Sequence, residues 1–323
     1  MGLNYDKFKG ILERMGKAKL KTKHLLSIAD FTPDEVEALI EDAVELKSNR
    51  WLVLLENKIL AILFEKPSLR TRVSFEVAMR QLGGEAIYLS PAEVGLGTRE
   101  SVPDVARVLS RMVDGVACRT FAQKNLELLA QYGNIPVINA LSDYEHPCQA
   151  LADLLTIYEH KGKLKGLTLA FIGDGNNVAH SLMLACAMVG MNFHIASPKK
   201  YSVQREVLAK ARRYAKDSGA EILCTEKPQE AIMGVDIAYT DTWISMGQEA
   251  ETEIRRKAFV GYQINDKLLS LAKRNVIVMH DLPAHRGEEV AEGVLESKRS
   301  VVFDQAENRL HAQKAVLAKL LGE

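Results

Sequence analysis

Ile59-Leu60-Ala61-Ile62-Leu63-Phe64 runs without a polar residue into Glu65-Lys66-Pro67-Ser68-Leu69-Arg70-Thr71-Arg72, and a helix-spaced pattern follows as far as Gly83-Gly84. An unbroken apolar run closed by a proline-containing turn reads as a strand buried on both faces. The order is strand, polar turn, helix, which opens a parallel α/β unit. Ser68 is a good N-cap, and Ser68, Arg70 and Thr71 crowd hydroxyls and a guanidinium into the first helical turn. Backbone N–H groups lack partners there and the helix dipole is positive, so the turn is suited to phosphate. The expectation is a grip on a phosphorylated small molecule; the plainer reading is a capped helix with solvated arginines.

The same alternation continues outward from this stretch. Ala86–Leu89, Gly115–Cys118 and Pro136–Asn139 read as buried strands, separated by helical segments over 102–112 and 123–132. A second series begins at Leu167-Thr168-Leu169-Ala170-Phe171-Ile172-Gly173 and continues with strands over 192–196, 221–224, 237–240 and 276–280. A chain of 323 residues exceeds the size at which single cores stop growing, so two domains of roughly 150 residues are expected. The reading is α/β, two doubly wound parallel-sheet domains. The boundary falls at 148/149, at the start of a helix over 149–161, and a final amphipathic helix from Asn308 packs back on the first domain.

Composition excludes several classes. The 42 basic and 42 acidic residues are interspersed, which argues against nucleic acid or a membrane surface as partner. No apolar run approaches the ~20 residues that span a bilayer. The N-terminus is charged rather than signal-like, and Asp6 occupies the hydroxyl position of a myristoylation pattern begun by Gly2. Cys118, Cys148, Cys186 and Cys224 form no C-x-x-C pair, fitting reduced cytoplasmic thiols better than zinc or disulfides.

In sheets of this type ligands lie beyond the carboxyl ends of strands. Arg119, then His146 with Pro147 and Gln149, then Asp241 through Gly247, then His280 through Arg286 all follow apolar runs. Singly each has a structural explanation, a satisfied interior histidine or a paired arginine. Their shared position points to one site. Gly173-Asp174-Gly175-Asn176-Asn177-Val178 invites a dinucleotide reading, but Val178 stands at the third glycine and the next strand ends near Ser197 without an acid for a ribose. Asn177 is better read as an amide offered to a small polar ligand, or as a cap.

Together these residues resemble the aspartate/ornithine carbamoyltransferase family over about 23–321. Ser68-Leu69-Arg70-Thr71-Arg72 is similar to its carbamoyl-phosphate signature, and His146-Pro147-Cys148-Gln149 to its His-Pro-x-Gln signature. Asp241-Thr242-Trp243-Ile244-Ser245-Met246-Gly247 and His280-Asp281-Leu282-Pro283 point to the ornithine branch. The resemblance implies a carbamoyl-phosphate domain, an amino-acid domain, and a homotrimer with sites near subunit interfaces. It implies that Ser68, Arg70, Thr71 and the N–H groups around Leu69 hold phosphate. Thr71, Arg119 and His146 would donate to the carbonyl oxygen; Gln149, Leu282 and Arg309 would fix the carbamoyl amine or its surroundings. Asn177, Asp241, Ser245 and Met246 would hold ornithine, under a closing Ser-Met-Gly loop. The chemistry calls for no metal, cofactor or covalent intermediate: an uncharged amine attacks the carbamoyl carbon, donors stabilise the oxyanion, and phosphate leaves carrying the proton.

Three positions depart from the family pattern. Leu69 replaces a threonine, neutral if the backbone makes the contact. Gly95 stands where many ornithine enzymes carry a glutamine that reaches a neighbouring subunit. Asp281 replaces the cysteine beside the attacking amine; a carboxylate there would favour the unreactive ammonium yet could also orient or deprotonate it. Asp281 is therefore counted among the catalytic and ornithine-binding residues. The competing readings are a carbamoyltransferase for a related amine, such as putrescine or an N-acylated ornithine, and a catalytically silent metabolite-binding relative.

Overall fold

The computed structural model describes residues 20–322; the N-terminal positions read above for a targeting signal lie outside them. The chain divides into two compact units: unit 1 runs to Ser142 and resumes at Arg309, and unit 2 spans Asp143–Asn308. The expected boundary at 148/149 lies just inside a helix, Pro147–Lys161, and the division precedes that helix's cap residue, His146.

Unit 1 holds four parallel strands, β1 (Ile59–Phe64), β2 (Glu85–Leu89), β3 (Gly115–Arg119) and β4 (Val137–Leu141), in the order β2-β1-β3-β4. The apolar run of β1 is central, and Leu60 through Phe64 are all buried. β1 pairs with β2 on one side and β3 on the other, Leu63 facing Leu89 and Cys118. The chain order reverses between β1 and β3, so their carboxyl ends form the switch point at which such sheets bind ligands.

Among helices of eight residues or more, unit 1 contains α1 (Pro33–Ser48), α2 (Leu69–Gln81), α3 (Val102–Leu109) and α4 (Gln123–Tyr132). α2 ends before Gly83, whose φ of +83° is one that glycine accepts without strain.

Unit 2 holds five parallel strands, β5 (Thr168–Ile172), β6 (Asn192–Ala196), β7 (Ile222–Thr225), β8 (Ile237–Thr240) and β9 (Ile277–His280), in the order β7-β6-β5-β8-β9. Its switch point lies between β5 and β8. Its long helices are α5 (Pro147–Lys161), α6 (Asn177–Met188) and α7 (Arg205–Ser218). A final helix, α8 (Val302–Leu321), begins in unit 2 and ends in unit 1. It starts six residues before the expected Asn308. Ser300-Val301-Val302-Phe303 reads as extended, but Val301 and Val302 are buried and Gln305 N bonds Val301 O at 2.9 Å, which winds the chain early. In unit 1 its Lys314 caps α1, donating to the carbonyls of Leu46 at 3.0 Å and Arg50 at 2.9 Å.

Gly173-Asp174-Gly175 has a structural use. A Cβ on Gly175 would lie 2.3 Å from Val203 N, so the glycine lets the 201–203 backbone cross at contact distance. Asp174 pairs with buried Arg255 at 2.7 Å. Among the described residues no helix is long and apolar enough to cross a membrane.

Candidate active site

In unit 1 the turn after β1 is organised by Ser68, the N-cap of α2. Its extended backbone (φ −159°) lets Oγ accept from Thr71 N at 3.3 Å, while its hydroxyl donates to Thr71 Oγ1 at 2.9 Å. Thr71 is fully buried and also accepts from Arg309 Nη2 at 2.6 Å. Arg309 comes from the unit 1 portion of α8, so the signature turn and the far end of the sequence share one hydroxyl. Leu69 is exposed and Arg70 half-buried at the helix start. Arg72 points elsewhere: it pairs with Glu76 at 2.8 Å and lies 3.9 Å over the Tyr88 ring.

Arg119, the last residue of β3, is buried. The ends of β1 and β3 are tied by Glu65 N donating to Arg119 O at 2.7 Å. They are tied again by Glu65, which accepts from the Thr120 hydroxyl and from Asn125 Nδ2 at 3.2 Å. This clamp carries no motif in the sequence. Its only signal there is an acid directly after an apolar strand.

In unit 2, His146 and Gln149 sit at the start of α5, both buried. His146 N donates to Ser181 Oγ at 2.9 Å, and Ser181 in turn donates to buried Glu145 at 2.9 Å. Gln149 Nε2 donates to Asp153 Oδ1 at 2.9 Å.

The ends of β5, β8 and β9 assemble a carboxyl cluster. Asp241, just past β8, accepts from Thr242 N at 2.6 Å and from Asn176 Nδ2 at 2.6 Å, and shares a hydrogen bond with Asp281. Burial, then the neighbouring Asp281 carboxylate, pushes the Asp241 carboxyl well above its ordinary range, so the pair tends to hold one proton. Asn176 is the N-cap of α6, and its Oδ1 accepts from Val178 N and Ala179 N. Sequence reasoning named Asn177; the structure puts Asn177 one residue further, with its Oδ1 3.1 Å from Val178 N, and gives the Asp241 contact to Asn176.

His280 ends β9 fully buried, with Nε2 3.1 Å from buried Glu289 and Nδ1 3.4 Å from Asp281. Burial opposes its charging, but the hydrogen bonds to Asp281 and Glu289 outweigh burial and lift its pKa to about 10. Leu282 N nevertheless points at Nδ1 from 2.9 Å, a contact only an unprotonated Nδ1 accepts. A neutral ring takes that contact with its Nε2–H donating to Glu289, whereas a charged ring turns its Nδ1–H to Asp281. Leu282 is held at φ +58°, rare for a branched residue, and precedes a cis bond to Pro283. Asp241, His280 and Asp281 bring three ligand-type atoms within 4.8 Å of one another; their mutual hydrogen bonds account for the grouping.

Ser245 and Met246 lie on the turn that follows β8, with Ser245 N donating to Gln248 at 3.1 Å and Met246 exposed. The turn is anchored behind by Trp243, which stacks on Phe259 at 5.6 Å and whose carbonyl accepts from Arg255 at 3.0 Å. Sequence reasoning missed Asn176, Arg255 and Glu289.

A family model described as aspartate/ornithine carbamoyltransferase, carbamoyl-P binding domain, matches residues 23–159, and its companion Asp/Orn binding domain matches 165–320. The chain is 54% identical to ornithine carbamoyltransferase of Anoxybacillus flavithermus over 307 residues, 94% of this chain and 98% of that one. It is similar in structure to the ornithine carbamoyltransferase of Pyrococcus furiosus, with TM-score 0.91, 49% identity and coverage of 94% and 98%. The enzyme of that name from Gloeobacter violaceus matches with TM-score 0.87 and 50% identity, covering 94% of this chain and 100% of that one.

Proposed function

The chain belongs to the aspartate/ornithine carbamoyltransferase family, and we propose that it transfers the carbamoyl group of carbamoyl phosphate to the δ-amine of L-ornithine, giving L-citrulline and phosphate. The observation that carries ornithine over an N-acylated acceptor is Asp241, a buried carboxyl held by Asn176 and Asp281 at the switch point of unit 2. It offers an α-amino group a charge-assisted partner that an N-acyl group would block; putrescine keeps an amine at that carbon and lacks only the α-carboxylate, so the turn bearing Ser245 and Met246 is what would tell it from ornithine. Both rival acceptors and the silent relative are the less favoured readings.

In this reading Ser68, Arg70, Thr71 and the amides around Leu69 hold the phosphate. Arg119 and His146, with Thr71, donate to the carbonyl oxygen. Gln149 and the Leu282 carbonyl meet the carbamoyl amine, and Arg309, which only donates, holds Thr71. Asn177, Asp241, Ser245 and Met246 hold the amino acid, and Asp281 faces the attacking amine. The uncharged amine forms the new C–N bond, the C–O bond to phosphate breaks, and a phosphate oxygen takes the displaced proton. Donors preorganised toward the oxyanion supply much of the acceleration, each worth about 3–4 kcal/mol.

The role we assign is in arginine biosynthesis, in the cytoplasm, where the thiols of Cys118, Cys148, Cys186 and Cys224 stay reduced. The assembly we assign is a homotrimer. Leu69, exposed by 76%, and Val73 lie one turn apart on α2, and exposed Ile87 lies on the edge strand β2, apolar surface that a partner subunit would cover. Citrulline formation with L-ornithine, putrescine, N-acetylornithine and L-aspartate tested in parallel decides the acceptor.

A further inference from the structure

A glutamine amide can present either an acceptor or a donor to a ligand, and the two ends have nearly the same shape. At Gln149 the choice is made by Asp153, one turn along α5. Asp153 is fully buried, and its Oδ1 accepts from Gln149 Nε2 at 2.9 Å and Gln305 Nε2 at 2.8 Å, its Oδ2 from Tyr239 OH at 3.1 Å. Oδ1 accepts whether the carboxyl is ionised or carries its proton on Oδ2 toward Tyr239, so both amides turn their NH2 groups toward it.

For Gln305 the result is visible at the other end of the amide, where Oε1 accepts from His280 N at 2.9 Å. For Gln149 the same constraint leaves Oε1 as the outer polar atom. That oxygen is buried and accepts no hydrogen bond in the structure. A buried acceptor left unmet is costly, and the cost is recovered when a ligand brings an N–H to it.

We propose that Asp153 is a positioning residue for selectivity: it locks Gln149 with its oxygen as acceptor, so that the site takes a carbamoyl group, which has N–H donors, in preference to an acyl group, which has none. This rests on the reading above that Gln149 meets the carbamoyl amine. Acetyl phosphate is the natural probe, because a methyl group replaces the NH2 while phosphate and size are retained. Binding it leaves Gln149 Oε1 unmet.

The experiment compares the KM of carbamoyl phosphate with the competitive Ki of acetyl phosphate in the parent and in Asp153→Leu, Asp153→Asn and Gln149→Leu. Gln149→Leu and Asp153→Leu are each expected to cut the preference for carbamoyl phosphate about tenfold, the value of one hydrogen bond. Asp153→Asn retains an acceptor at Oδ1 and can turn its NH2 to the Tyr239 oxygen, so it is expected to keep the preference within about twofold. General loosening of the site would weaken both ligands alike and leave the ratio unmoved. If Asp153→Leu does not fold, Asp153→Ser, which accepts from only one of the two amides, goes through the same assay with the same expectation. A folded Leu or Ser variant that keeps the parental ratio while Gln149→Leu loses it overturns the role of Asp153. If Gln149→Leu itself keeps the ratio, the assignment of Gln149 to the carbamoyl amine fails, and this inference falls with it.

Discussion

Unit 1 gathers the groups proposed for phosphate at the start of one helix, whereas unit 2 gathers those proposed for the amino acid from the ends of three strands. In unit 1 Ser68, Leu69, Arg70 and Thr71 are consecutive, and their chemistry is that of any well-capped helix N-terminus with cations added. In unit 2 the corresponding groups are Asp241, Asp281, His280 and Asn176, brought together by burial and held by one another. The first arrangement suits a dianion that arrives fully charged. The second suits an amino acid whose amines must be gripped in one case and deprotonated in the other, because a buried carboxyl pair can hold a proton above the ordinary carboxylate range.

If that contrast is right, variants in the two units should damage different things. The largest effect is expected from Arg119→Ala, which removes the proposed oxyanion donor: kcat should fall by about 10²–10³-fold, with ornithine KM little changed. A fall in affinity for ornithine instead would blur the division. Asp241→Asn should act on the other substrate, raising ornithine KM by roughly 10- to 100-fold through loss of a charge-assisted hydrogen bond, while carbamoyl phosphate KM stays near the parental value. Steady-state kinetics with each substrate varied in turn checks both.

A subtler test bears on Asp281. Its charge helps raise the Asp241 carboxyl, so Asp281→Cys should move the acidic limb of kcat/KM for ornithine to lower pH. Superimposable profiles in parent and variant would remove Asp281 from the chemistry. Smallest of all is a stability effect at Asp153, whose carboxyl burial lifts from 3.8 to about 7. A raised folded pKa gives stability that is full below the unfolded value and lost as pH rises through the folded one. Urea midpoints of the parent should therefore decline from about pH 4 to about pH 7 relative to Asp153→Asn, and a parallel course would contradict the shift.

The contrast also explains what could be read in advance. The central strands were legible because central parallel strands are continuous apolar runs, and β1 falls on the residues the pattern marks. The unit 1 turn was legible because its parts are neighbours. The contacts that complete the cluster in each unit are not: Thr71 meets Arg309 across 238 positions and Asn176 meets Asp241 across 65. Nothing local distinguishes Asn176 from Asn177 as the partner of Asp241; the N-cap geometry of α6 decides it. Glu289 gave no signal, lying in the polar run Arg286-Gly287-Glu288-Glu289 that reads as surface, yet it is fully buried against His280. The start of α8 escaped for the opposite reason, since tertiary burial wound an extended-looking segment into helix.

The most direct measurement is product formation by the purified protein supplied with carbamoyl phosphate and, in parallel, L-ornithine, putrescine, N-acetylornithine or L-aspartate across a range of pH. The account predicts citrulline and phosphate in equal amounts with ornithine and little turnover with the other three. Turnover that favours putrescine or N-acetylornithine, or substrate binding with no turnover at all, would contradict it.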